Sequence, residues 1–232
     1  MKLTSKLICL LLGVLASLFV CAQDFSNKGT DFWVGYGLHC RMFQNTTGGT
    51  QDMVLYFATE AVTNVTVSIP GLGYSQTYSN IPANSIFSTS PLPKTGTQDA
   101  RLITEGVSSQ GIHITSDKPI VAYAHIYNNN VSGATLLFPT TTLGKEYYSI
   151  NFEQHSNEGH SNSFFHAVAV DNGATTIEVI PSATTQSMIA GKTYTFNLTQ
   201  GQIFNALGTI SGNDGVDLTG SKIKSISSGT SG

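Results

Sequence analysis

The densest set of potential ligating side chains is His155-Ser156-Asn157-Glu158-Gly159-His160, with His166 beyond it. Two imidazoles and a carboxylate in one loop could hold a divalent cation. The spacing argues against that. His155 and His160 differ by five positions, no helical pattern sets them on one face, and they match no compact metal motif. The segment reads as a solvated polar loop between strands, and no metal ligand is assigned. Ser156 and Ser163 sit in the same loop, but the sequence holds no Gly-x-Ser-x-Gly elbow to mark a nucleophile. His39, His113 and His125 are isolated beside strand patterns. No Walker loop or dinucleotide fingerprint is present, so no catalytic residue, cofactor-binding residue or cofactor is expected, and the reading is that of a non-enzyme.

A second group that could contact a ligand is aromatic: Phe32, Trp33 and Tyr36. Exposed rings would give a protein or glycan contact area and stacking. The alternative is packing, and Trp33 is expected to fill a core.

These side chains must be positioned by strands. After Ala22 no stretch carries a helical period, while strand signals recur. Met53–Ala58 is a nearly continuous apolar run, as in a strand covered on both faces. Val65, Val67 and Ile69 alternate with Thr66 and Ser68 and close on Pro70-Gly71. Ile112–Thr115 alternates, and Ile120–Tyr127 reads as another apolar strand after Pro119. Further strands are expected near 135–138, 147–152, 164–170, 176–180, 193–198 and 202–207. Turn residues such as Asn128-Asn129-Asn130 and Asp171-Asn172-Gly173 separate them. Many short strands with regular turns predict an all-β fold of the sandwich kind.

The chain also echoes itself. Thr63–Pro70 returns as Thr175–Pro181. Gly106-Val107 followed by Gly111-Ile112-His113-Ile114 returns as Gly215-Val216 followed by Gly220-Ser221-Lys222-Ile223. The repeat predicts two tandem β-sandwich-like modules, 23–150 and 151–232. The second is expected to be truncated at its C-terminus. Ile112–Thr115 leads through Ser116-Asp117-Lys118-Pro119 into an apolar strand, whereas Lys222–Ile226 leads only into Ser227–Gly232. An apolar strand with a cysteine beside it is expected directly after Gly232. Without it the module would expose an unpaired edge and part of its core.

The first residues set the compartment. Lys2 and Lys6 precede an apolar run from Leu7 to Val20, which ends at Cys21-Ala22. This is the pattern of a secretory signal over 1–22, cleaved to leave Gln23 first. The run is shorter than the ~20 residues that span a bilayer, so no membrane span is expected after cleavage. The chain has 11 Lys+Arg and 14 Asp+Glu; losing Lys2 and Lys6 gives 9 − 14 = −5. That acidity disfavours nucleic acid, whose backbone needs a basic patch. Cys40 is the one cysteine outside the signal, which excludes an internal disulfide. A buried, small apolar role suits it.

Several segments occur in a recognisable order. They are Gly29-Thr30-Asp31-Phe32-Trp33-Val34, then Gly111 to Tyr123, then Phe138-Pro139-Thr140 with Leu143-Gly144-Lys145-Glu146-Tyr147-Tyr148. Ala167 to Asn172 follows, running into Thr176 to Ser182. Over nearly all of the mature chain this set resembles the IgG Fc-binding protein N-terminal domain family. The resemblance implies a secreted or surface module with an extracellular protein or glycan ligand, and it supplies no catalytic residue. The expected function is therefore non-catalytic extracellular adhesion or ligand binding. The alternative is a carbohydrate-active protein, either a glycan-binding module or a glycoside hydrolase built from two distant acids.

Overall fold

A computed structural model describes residues 26–43, 48–156 and 159–227. The signal segment 1–22, Asn157, Glu158 and residues 228–232 lie outside the described residues.

The protein is all-β. Among the described residues only short 3-10 turns interrupt the strands, at Cys40–Phe43, Pro70–Leu72, Gly96–Gln98 and Thr140–Thr142. The largest sheet has seven strands and is organised by one of them, Ile112–Tyr127. The alternation within Ile112–Thr115 and the apolar run from Ile120 suggest two strands; the structure makes them one. Its first part pairs with Thr63–Ile69 on one side and Lys28–Val34 on the other, through Val67↔Ile114 and Phe32↔Ile114. From Ile120 onward it pairs with Asp52–Thr59 and with Ser132–Leu136. Strands Tyr74–Ile81 and Ser85–Ser88 extend the two ends.

The change of partners falls at Asp117-Lys118-Pro119, where no ladder pair forms. A proline is tolerated there because its missing N–H is not needed. The Asp117 carboxylate accepts from the backbone N–H and the side-chain amide of Asn64, each at 2.8 Å. Those hydrogen bonds hold its pKa below the usual carboxylate value.

The alternating residues become one core. Phe32 and Val34, Met53, Leu55 and Phe57, Val65, Val67 and Ile69, and Ile112, Ile114, Ile120 and Ala122 are all buried together. Burial of such side chains is worth roughly 1.5–3 kcal/mol each. A second core gathers Phe165, Ile177, Val179, Leu198, Phe204, Leu218 and Ile223. It lies within a four-stranded sheet, Tyr194–Thr199, Ala174–Ile180, Lys222–Ser227 and Glu146–Tyr148, and a three-stranded sheet, Phe164–Val168, Ile203–Leu207 and Gly106–Ser108. Asp214–Gly215 joins Gln154–His155 and Ile210–Ser211 in a small fourth sheet.

The two cores are tied by backbone. Gly106–Ser108 pairs with Ile203–Asn205 through Ile203↔Ser108 and Asn205↔Gly106. Gly111 N–H donates to the Gly201 carbonyl at 3.1 Å. A Cβ on Gly111 would stand 2.2 Å from that oxygen, so only glycine permits the approach. At Gly37 a Cβ would lie 1.9 Å from the Phe164 ring, so that side chain would have to shift to admit one.

Glu105 is the charged pin of this junction. Its carboxylate accepts from Thr185 Oγ1 at 2.9 Å, Ser187 N–H at 2.8 Å, Leu207 N–H at 2.7 Å and the Ser187 hydroxyl. Charge-assisted bonds of this kind are about twice as strong as neutral ones.

Candidate functional site

Strand pairing brings the histidine loop to a cleft of about 390 Å³. His155 lies in Gln154–His155, opposite Asp214 across the small sheet. Its Nδ1 is 2.5 Å from Asp214 Oδ1, and both side chains are exposed. His160 sits in the left-handed region, with φ of 52°. Its ring stacks on Phe43, centroids 3.7 Å apart. The cleft also takes in His39, Cys40 and Arg41 from the turn Cys40–Phe43 and the residue before it. His39 Nδ1 accepts from the Arg41 N–H at 3.2 Å. Burial first, and the Arg41 charge second, lower its pKa. Cys40 is half-buried with a free thiol.

His166, the third member of the sequence cluster, is elsewhere. It lies on Phe164–Val168, and burial pushes its pKa down to about 4. The ring is neutral at physiological pH, and its buried Nδ1 finds no hydrogen-bond partner. His155, His160 and His39 thus each engage a neighbour of their own. Among the described residues no group of three or more His, Cys, Asp or Glu is placed to hold a metal ion. Sequence reasoning did not connect His39 with His155 and His160, since only the fold brings distant loops together.

Trp33 does not fill the core; its neighbour Phe32 does, at 0% exposure. Alternation forces the choice, because successive residues of Lys28–Val34 point to opposite faces. Trp33 instead stacks on His113 and reaches Gly201 at the junction of the two cores. His113 Nε2 is 2.8 Å from Asp31 Oδ2. Tyr36 is buried and its hydroxyl donates to the Val54 carbonyl. Burial raises that hydroxyl's pKa.

The aromatic surface is formed by other residues. Tyr56 pairs across the ladder with Tyr123, so Tyr123, His125 and Tyr127 share its face. The His125 ring is 5.8 Å from Tyr56 and 4.8 Å from Tyr127. Tyr123 is exposed and the other three are half-buried. The signal was present in the alternation of Tyr123, His125 and Tyr127 with buried Ala122, Ala124 and half-buried Ile126. Large apolar side chains are also exposed in the second half of the chain, where Tyr148, Ile150 and Phe152 are 61%, 93% and 66% exposed.

Residues 133–230 match the family model described as IgGFc binding protein. No curated protein and no solved structure matches the chain. Among the described residues no helix is long and apolar enough to cross a membrane.

Proposed function

We propose that this chain is a non-catalytic, extracellular adhesion or ligand-binding module, exported by the signal in residues 1–22. The observation that carries the reading is the match of residues 133–230 to a family described by binding. The exposed Tyr148, Ile150 and Phe152 lie within that stretch. Large apolar side chains exposed together are the usual mark of a protein contact. IgG Fc enters the reading as one candidate ligand, through the family's description.

A glycan-binding role is the second reading. The rings of Tyr56, Tyr123, His125 and Tyr127 favour it, since they offer flat apolar area for stacking on a sugar.

The test is a binding array of extracellular proteins, IgG Fc included, and glycans, read with the protein and two variants. Ile150→Asp with Phe152→Asp is expected to abolish the protein signal. Tyr123→Ala with Tyr127→Ala is expected to leave it intact. The reverse pattern, with glycans as the bound class, would replace the first reading by the second. A turnover of any arrayed glycan would refute the non-catalytic reading. Export is tested separately: protein recovered outside the cytoplasm should begin at Gln23, and an intact Met1 would refute it.

A further inference from the structure

Asn172 stands before Gly173 in the turn that carries the chain from Phe164–Val168 to Ala174–Ile180. It is the one asparagine of the sequence that glycine follows. Both residues are exposed. Among the described residues, neither the Asn172 side-chain amide nor the Gly173 N–H has a hydrogen-bond partner. Gly173 has a φ of 90°, which glycine adopts without strain. The turn is held at its ends instead. Ala169 N–H donates to Gln202 O at 3.0 Å, Gln200 Nε2 donates to Val170 O at 3.0 Å, and Ala174 pairs with Thr199.

Other amides are tied down. Asn64 Nδ2 donates to Asp117 at 2.8 Å, Asn151 Nδ2 to the Phe164 carbonyl at 2.7 Å, and Asn162 Nδ2 to the Gly208 carbonyl at 2.7 Å. The comparison closest in chemistry is Asp214-Gly215, a second acidic-or-amide residue before glycine. There the fold holds both partners. Gly215 is buried and pairs with Gln154 on one side and Ile210 on the other. A Cβ on it would stand 1.9 Å from Ser161 O. The Asp214 carboxylate is engaged by His155.

A free asparagine amide beside a free glycine N–H can close a ring. The Gly173 nitrogen, its proton lost to hydroxide, adds to Cγ of Asn172, and glycine has no Cβ to crowd that approach. The Cγ–Nδ2 bond breaks, and the nitrogen leaves as ammonia with a proton from water. Water then opens the succinimide. Cleavage between the ring nitrogen and Cγ restores the main chain with an aspartate at this position. Cleavage between the ring nitrogen and the main-chain carbonyl carbon leaves an isoaspartate, whose chain runs through Cγ. Water is the only co-reactant, and nothing is oxidised or reduced.

We propose that Asn172 is a site of spontaneous deamidation in the folded protein, and that the fold which leaves it free protects Asp214-Gly215 from the same ring closure. Either product adds a negative charge beside Asp171. The isoaspartate also lengthens the backbone by one methylene between Phe164–Val168 and Ala174–Ile180, strands of the two sheets around the second core.

The experiment ages the purified chain at mildly alkaline pH, folded and in urea, and maps it by peptide mass spectrometry. Fragmentation separates aspartate from isoaspartate. The peptide holding Asn172 is expected to gain one mass unit in the folded chain, at a rate within a few-fold of the unfolded one. Asp214 is expected to isomerise in urea and to stay intact in the folded chain. Asn172→Gln should remove the mass gain, because its side chain closes the larger ring far more slowly. A folded chain that stays unmodified while the unfolded one converts would overturn the proposal, since the turn would then be holding the amide. A mass gain that persists in Asn172→Gln would assign the reaction to another amide and overturn it too. Equal isomerisation of Asp214 in both states would refute the protection.

Discussion

The indole of Trp33 lies flat on the imidazole of His113, with ring centroids 4.1 Å apart and 7° between the planes. The two residues are opposite one another in the ladder between Lys28–Val34 and Ile112–Tyr127. The benzo edge of the indole also reaches Gly201, so this side chain links the seven-stranded sheet to the turn that precedes Ile203–Leu207.

Trp33→Ala is therefore expected to loosen the junction as well as the sheet. The lost stack is worth about 0.5–1.5 kcal/mol beyond the area it buries. Urea denaturation checks it. His113→Ala in the Trp33→Ala background should cost less than His113→Ala alone, and strict additivity would show that the rings do not cooperate.

Glu105 supports the same junction by charge. Glu105→Ala leaves the N–H groups of Ser187 and Leu207 without their acceptor, and is expected to cost about 2–3 kcal/mol. Glu105→Gln keeps one acceptor oxygen and should cost less. Equal melting of Glu105→Ala and the parent would remove the carboxylate from the account of how the two cores are joined.

Acid sensitivity follows from His166. Its folded pKa of about 4 lies below the unfolded value of 6.5. Below pH 6.5 the unfolded chain takes up the proton first, so stability falls as pH drops through this window and levels off near 4. Burial shifts His39 in the same direction. His166→Leu should flatten the decline between pH 6.5 and 4 in thermal melts. An unaltered slope in that variant would mean that other groups set it.

The cleft of His39, His155 and His160 is expected to hold no stoichiometric transition metal. Elemental analysis of the purified protein checks this. His155→Ala with His160→Ala should leave the metal content unchanged while removing the pairing with Asp214 and the stack on Phe43. One zinc or manganese per chain, absent from the double variant, would make the cleft a metal site.

What the sequence determined by itself was local. Alternation in Val65–Ile69 and Ile112–Thr115, and turn residues such as Asn128, are written within a few positions. Asn128 Oδ1 accepts from the N–H of Asn130 and Val131, a turn that needs nothing distant. Strand character and the inward set Val65, Val67, Ile69, Ile112 and Ile114 follow from that period of two. Tyr74–Ile81 was illegible because its side chains are mostly polar and exposed on a sheet edge, so burial leaves no pattern in it. Tertiary structure alone decided that Ile112–Tyr127 is one strand serving two sets of partners. It also decided that Phe32 and not Trp33 enters the core, and that His39 shares a cleft with His155 and His160 while His166 lies elsewhere. Ladder partners are chosen by contacts between residues far apart in the chain, and the periodicity of one strand does not say which neighbour will cover it.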